Sequence, residues 1–155
     1  MEDLKPFDSF PFDRQPLLRA IGWIDDSFVP NPIPIADGLF EKLFALLIHP
    51  WQPFASAGFH DCCLCRFTGG PKELRHHNQT IQIGNANVFI PSTDYVFVAP
   101  SSVIHYIDAH GYCPPAEFQR AVMECPEMRS MAYFRALRQH VSIKALETPP
   151  DDLIM

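Results

Sequence analysis

The sequence has no apolar stretch approaching the ~20 residues that a membrane span requires. Its longest candidate, Leu39 to Ile48, is interrupted by Glu41 and Lys42 and runs into His49-Pro50. Runs of lysine or arginine are also missing, and the formal charge is -6 with a pI near 5.5. An acidic surface repels phosphate backbones, so nucleic-acid and anionic-membrane binding lose their main driving force. The first twelve residues carry no positive n-region and no apolar h-region. They do not read as a secretory signal, and the expected compartment is the cytoplasm. There is no internal repeat and no low-complexity tract. The motifs H-E-x-x-H, H-x-E with P-C-x-x-C, G-x-x-x-x-G-K-[ST], G-x-G-x-x-G and G-x-S-x-G are all absent, which removes the usual signatures of several enzyme classes.

What is present fits one domain. The chain has 155 residues, 47% of them apolar, enough to fill a single core. Charged residues make up 19%, below the usual share of about a quarter. Sixteen prolines are about twice the usual ~5%, and they are spread along the chain, which predicts short elements and many connections. Five cysteines in a chain without a secretory signal favour metal binding or free thiols over a disulfide framework.

The pattern predicts an α+β fold, with a small antiparallel sheet and C-terminal helices. Residues 1–18 read as an irregular arm whose Phe7, Phe10 and Phe12 can tuck against the body; residues 19–140 read as the domain and 141–155 as a loose tail. Arg19 to Ile24 reads as a short strand. Asp37 is a candidate cap for a helix from Gly38 to Ile48, stopped by Pro50. Ala55 to His60 is a further strand candidate, and Lys72 to Gln79 reads as a polar loop. Thr80 to Ile90 and Tyr95 to Ala99 read as the two strands of a hairpin, turned by Pro91 to Asp94. Ser101 or Ser102 is expected to cap a helix ending near His110-Gly111. Pro114-Pro115 opens another, with Phe118, Ala121 and Val122 inward. Pro126 separates it from a last helix over Glu127 to Gln139.

The chemistry concentrates at Cys62-Cys63-Leu64-Cys65 and at His105 and His110. Cys62 and Cys65 have the C-x2-C spacing of a zinc knuckle, a tight turn that brings two thiolates to one tetrahedral ion. His105 and His110 fall within the H-x3–5-H range, so the four make a Cys2His2 set, the closed complement of structural Zn2+ sites. A knuckle, then a hairpin, then a helix bearing the other ligands is the order of a treble-clef zinc finger. Other readings stay open. The thiols can be inert core residues, or a redox pair, which needs the first cysteine at a helix N-terminus. Cys63 can stand in for Cys62, and His60 for a ligand or its hydrogen-bond partner. His76 and His77 read as solvated loop residues, and Cys113 and Cys125 as packing. His49 and His140 lie near helix ends, where the helix dipole accounts for them.

Four segments resemble a family of small uncharacterised bacterial proteins. They are Ile21-Gly22-Trp23-Ile24-Asp25, Gly58 to Cys65, His105 to Phe118 and Cys125-Pro126-Glu127-Met128-Arg129-Ser130. That family pairs a G-W-[LI]-D strand, an H-x-C-x-x-C knuckle and an H-Y-I-x-x-H-x-Y-x-P-P-x-x-F block. The resemblance runs from about residue 20 to 138. It implies a bacterial origin and a shared role for the same cysteines and histidines, and it implies no activity.

Three functions follow as expectations. The first is a zinc-stabilised protein-interaction module for a partner with a basic surface, of the immunity or antitoxin type by class-level analogy. The second is a hydrolase using zinc or Cys65 with His105 as its base. The third, disfavoured by the net charge, is a nucleic-acid-binding zinc finger.

Overall fold

A computed structural model describes residues 3–6, 18–30, 34–52, 61–65 and 67–140. Its organising strand is Val96–Pro100 (β5), every residue of which is buried. β5 lies centrally, between Asn87–Pro91 (β4), antiparallel to it, and Leu18–Ala20 (β1), parallel to it. A strand paired on both edges and covered on both faces cannot alternate with polar residues, hence the unbroken Val-Phe-Val-Ala run. The parallel β1–β5 pairing continues as the Ile21 N–H donates to the Val98 carbonyl at 3.0 Å. On the other side of β1, the Leu4 N–H reaches the Ala20 carbonyl and the Ala20 N–H the Lys5 carbonyl, so the described part of the arm runs along it. The Asp3 carboxylate takes the Gly22 N–H at 2.8 Å and the Tyr112 hydroxyl at 2.7 Å.

Among the described residues the helices are Leu39–Leu47 (α1), Val103–His110 (α2), Ala116–Glu124 (α3) and Met131–Leu137 (α4); α3 and α4 pack on β4, and α1 packs against α2 and α3. α1 buries Leu39, Leu43, Phe44, Leu46 and Leu47, a stripe at helical spacing. α3 presents Phe118, Ala121 and Val122 inward, as expected, with the Phe118 ring edge-on to Phe97 of β5 at 5.5 Å. The Tyr133 hydroxyl of α4, fully buried, donates to the Phe89 carbonyl at 2.6 Å. The fold is α+β, and the described residues form a mixed three-stranded sheet and a separate two-stranded one.

Several local expectations change. Thr80 to Ile90 is not one strand: Gln79–Gln82 (β3) ends before Gly84, whose φ of +87° turns the chain. The Gly84 N–H then bonds the Ser101 hydroxyl at 3.0 Å. Lys72 to Gln79 is not a loop. Glu73–His76 (β2) pairs with β3 through a two-residue turn at His77-Asn78, both left-handed. That backbone matches the twist of a tight hairpin. Asp37 does not cap α1, because Gly38, at φ +80°, occupies the cap position with no side-chain bond. Ser102 sits at the start of α2 without capping it, and Ser101 is engaged by Gly84. The last helix starts at Met131, since Arg129 is left-handed and Ser130 accepts the Tyr133 N–H at 3.1 Å. The expected Ala55 to His60 strand, the Phe7, Phe10 and Phe12 contacts and the tail lie outside the described residues.

Candidate metal centre

The knuckle is a closed turn. The Cys65 N–H donates to the Cys62 carbonyl at 3.3 Å, and the chain then returns so that the Gly69 N–H meets the Cys65 carbonyl at 3.0 Å. The Cys62 N–H in turn donates to the Gly69 carbonyl. This return is possible because Gly69 and Gly70 are both left-handed, at φ +71° and +87°. The second glycine also supplies space: a Cβ there would stand 2.7 Å from the Cys62 Cβ and 3.6 Å from the His105 Nε2.

Helix α2 supplies the other half. It ends at left-handed Gly111, after which the Tyr112 N–H reaches back to the Tyr106 carbonyl at 3.1 Å. That closure, in which the Gly111 N–H meets the same carbonyl, satisfies a terminal carbonyl of the helix. It fixes His110 on the last turn, with His105 one and a half turns earlier. Five residues are about 140° around an ideal helix, yet the two imidazoles stand edge to face, with ring centroids 4.9 Å apart and Nε2 atoms 3.2 Å apart.

Cys62, Cys65, His105 and His110 lie close enough to bind a metal ion, with one donor atom from each residue within 4.8 Å of all the others. The Cys62 Sγ is 3.4 Å from the His110 Nε2, and the Cys65 Sγ is 3.4 Å from the Nε2 atoms of both His105 and His110. A tetrahedron with Zn–S of about 2.3 Å and Zn–N of about 2.0 Å has S···N edges of about 3.5 Å and an N···N edge of about 3.3 Å. The observed separations match those edges, so the donor set fits zinc in number, chemistry and spacing. Burial is strongest at Cys62 and His105, while Cys65 and His110 are partly exposed.

Electrostatics point the same way. Burial first, then the hydrogen bond and charge of Cys62, push the Cys65 thiol up. Burial, helped by the neighbouring His110, pushes His105 down and keeps its ring neutral. A neutral imidazole is the ligating form. A coordinated thiol is deprotonated outright.

The remaining candidates are sorted by geometry. Cys63 is exposed and stands outside the cluster. Burial, then the charges on Cys62, Asp26 and Asp25, raise its pKa. His60 lies outside the described residues. His76 is not a solvated loop residue: it sits on β2, edge-on to Phe40 and Phe44 at 5.1 and 5.4 Å, while His77 is exposed. Cys125 is buried as packing, and Cys113 is half-buried. The His140 ring nitrogen meets the Ser92 carbonyl at 3.0 Å. The part played by Gly69-Gly70 went unread in the sequence. The available signal was their position four and five residues past Cys65, where a knuckle's return strand must press against the first cysteine.

Among the described residues, no helix is long and apolar enough to cross a membrane. The family described as a domain of unknown function, DUF7919, matches over residues 1–123. No curated protein and no solved structure matches the chain.

Proposed function

Starting from a chain that belongs to DUF7919, a family without an assigned activity, we propose that it is a bacterial zinc-stabilised protein-interaction module working in the cytoplasm. The observation that carries this is the four-donor cluster, whose spacing matches the edges of a tetrahedral zinc site. Four protein ligands fill that coordination sphere, the arrangement of a structural rather than a catalytic ion. Cys62 and Cys65 hold the knuckle, and His105 and His110 tie it to α2. The ion thereby cross-links segments some forty residues apart in sequence. Its binding energy then becomes folding energy.

The net charge of -6 suits a partner with a basic surface. Small acidic bacterial proteins that cover basic toxins, as immunity or antitoxin proteins do, are the class analogy. The test has two parts. Elemental analysis of the purified chain should find one zinc per molecule. Affinity capture from the native host should recover a stoichiometric partner of basic pI that is lost when the metal is chelated. Zinc-free protein of full stability, or the absence of any stable partner, refutes the proposal.

A further inference from the structure

The segment Gly22 to Asp25 stands out in the sequence and contributes nothing to the metal cluster. It lines a groove of about 550 Å³ directly beside the knuckle. Three walls meet there. Trp23 and Ile24 come from the stretch after β1, Asp61 and Cys63 from the knuckle, and Tyr106 from α2. The Trp23 indole N–H donates to the Val98 carbonyl at 3.0 Å, which ties the ring into the wall of the groove. The lining is mostly apolar, and its charges are all of one sign. Asp25, Asp26 and Asp61 are exposed carboxylates, and no lysine or arginine is among the described residues lining the groove. Ser27 holds the Asp25 carboxylate with its N–H at 2.9 Å and with its hydroxyl.

We propose that this groove is the docking site for an arginine-bearing segment of a basic partner protein. The proposal rests on the interaction-module reading and names its binding face. A guanidinium is the cation that suits both features at once: its flat, weakly hydrated surface lies against an apolar wall, and its planar fork takes carboxylates. The space exceeds one side chain and falls in the range of about 300–1,000 Å³ typical of ligand sites. The aliphatic stem of the arginine and an apolar neighbour fill the remainder against Ile24 and Tyr106. The metal matters here because Asp61 adjoins Cys62 and Tyr106 adjoins His105. Fastening the knuckle to α2 therefore sets the distance between two walls of the groove.

The test is a titration of the isotope-labelled, zinc-loaded full chain by two-dimensional NMR. The probe is an acetylated, amidated pentapeptide containing three arginines; its controls are the same peptide with citrulline and the free polyamine spermine. The arginine peptide should shift the Trp23 indole and the amides of residues 22–26, 61–63 and 102–106 saturably, and citrulline should not. The D26N/D61N double variant, with unchanged zinc content and melting temperature, should bind on the order of tenfold more weakly. Shifts that are scattered, equal with citrulline, or unaffected by D26N/D61N overturn the proposal. Spermine binding the same residues as tightly as the peptide also overturns it, assigning the groove to a small polycation. A captured host partner that ignores D26N/D61N sinks the groove while leaving the module reading standing. Groove binding of the arginine peptide with no partner in the host does the reverse.

Discussion

Gly70 is packed so closely on Cys62 that a methyl group on its Cα would sit 2.7 Å from the Cys62 Cβ, with the His105 Nε2 only 3.6 Å away. Its φ of +87° is also unfavourable for any residue with a side chain. Gly70→Ala should therefore lower stability by about 1–3 kcal/mol from the backbone alone. Displacement of Cys62 should weaken metal binding by roughly tenfold or more. Competition against a chromophoric chelator measures the second effect. Wild-type affinity in this variant would contradict the packing.

Ligand removal separates Cys62 from its neighbour Cys63. Cys62→Ser and His105→Ala should each lose the ion and at least about 3 kcal/mol, because a structural metal's binding energy is folding energy. For a domain of this size that corresponds to roughly 6–12 °C in melting temperature. Chelation of the wild type should bring it to a similar level. Cys63→Ser, at an exposed position outside the cluster, should stay within about 0.5 kcal/mol of wild type and keep its metal. Metal loss in the Cys63 variant with retention in the Cys62 variant would reassign the ligand.

Tyr133 anchors α4 to the sheet through its buried hydroxyl on the Phe89 carbonyl. Tyr133→Phe keeps the ring and removes the hydrogen bond to that carbonyl, at a cost of about 1 kcal/mol. Urea denaturation of the metal-loaded protein reads the change. A variant as stable as wild type would mean that water or another donor takes over the acceptor.

Alkaline pH should destabilise the protein through its buried acids. Burial raises the Cys125 thiol from 9.0 to about 12, with Lys42 opposing. The folded value lies above the unfolded one, so this group's contribution to stability is intact below about pH 9. It is lost as pH climbs toward about 12, because only the unfolded chain ionises in that window. Tyr112 and Tyr133, also pushed up by burial, add their own loss at higher pH. Denaturation midpoints should drop as pH rises from about 8.5 to about 10.5, by up to about 1.4 kcal/mol per pH unit for each such group. Cys125→Ala should flatten the early part of that slope. Parallel wild-type and variant curves would show that the thiol plays no part.

Much of the architecture is legible in residue patterns. The β4–β5 hairpin follows from Val88 to Ile90 and Val96 to Ala99, and α1 from its leucine stripe, because both burial patterns are local and periodic. The end of α2 is legible in Gly111. What escaped is backbone handedness at non-glycine positions: His77 and Asn78 make a hairpin, and Arg129 delays α4. These residues adopt positive φ because the pairing and packing around them repay a modest local cost, which single-residue preference does not reveal.

The sequence by itself determined the kinds and spacings of the donors: two thiols in a C-x2-C turn and two imidazoles on one short helix, in an acidic chain. Only the tertiary structure decided that they converge, that Cys63 stands outside, and that Gly70 makes room for Cys62. It also decided that Trp23, Asp61 and Tyr106 share one groove. The physical reason is that spacing within a turn or helix is set by local covalent geometry. The approach of residues forty or more positions apart depends instead on how the β-strands between them pair and on which surfaces the core buries.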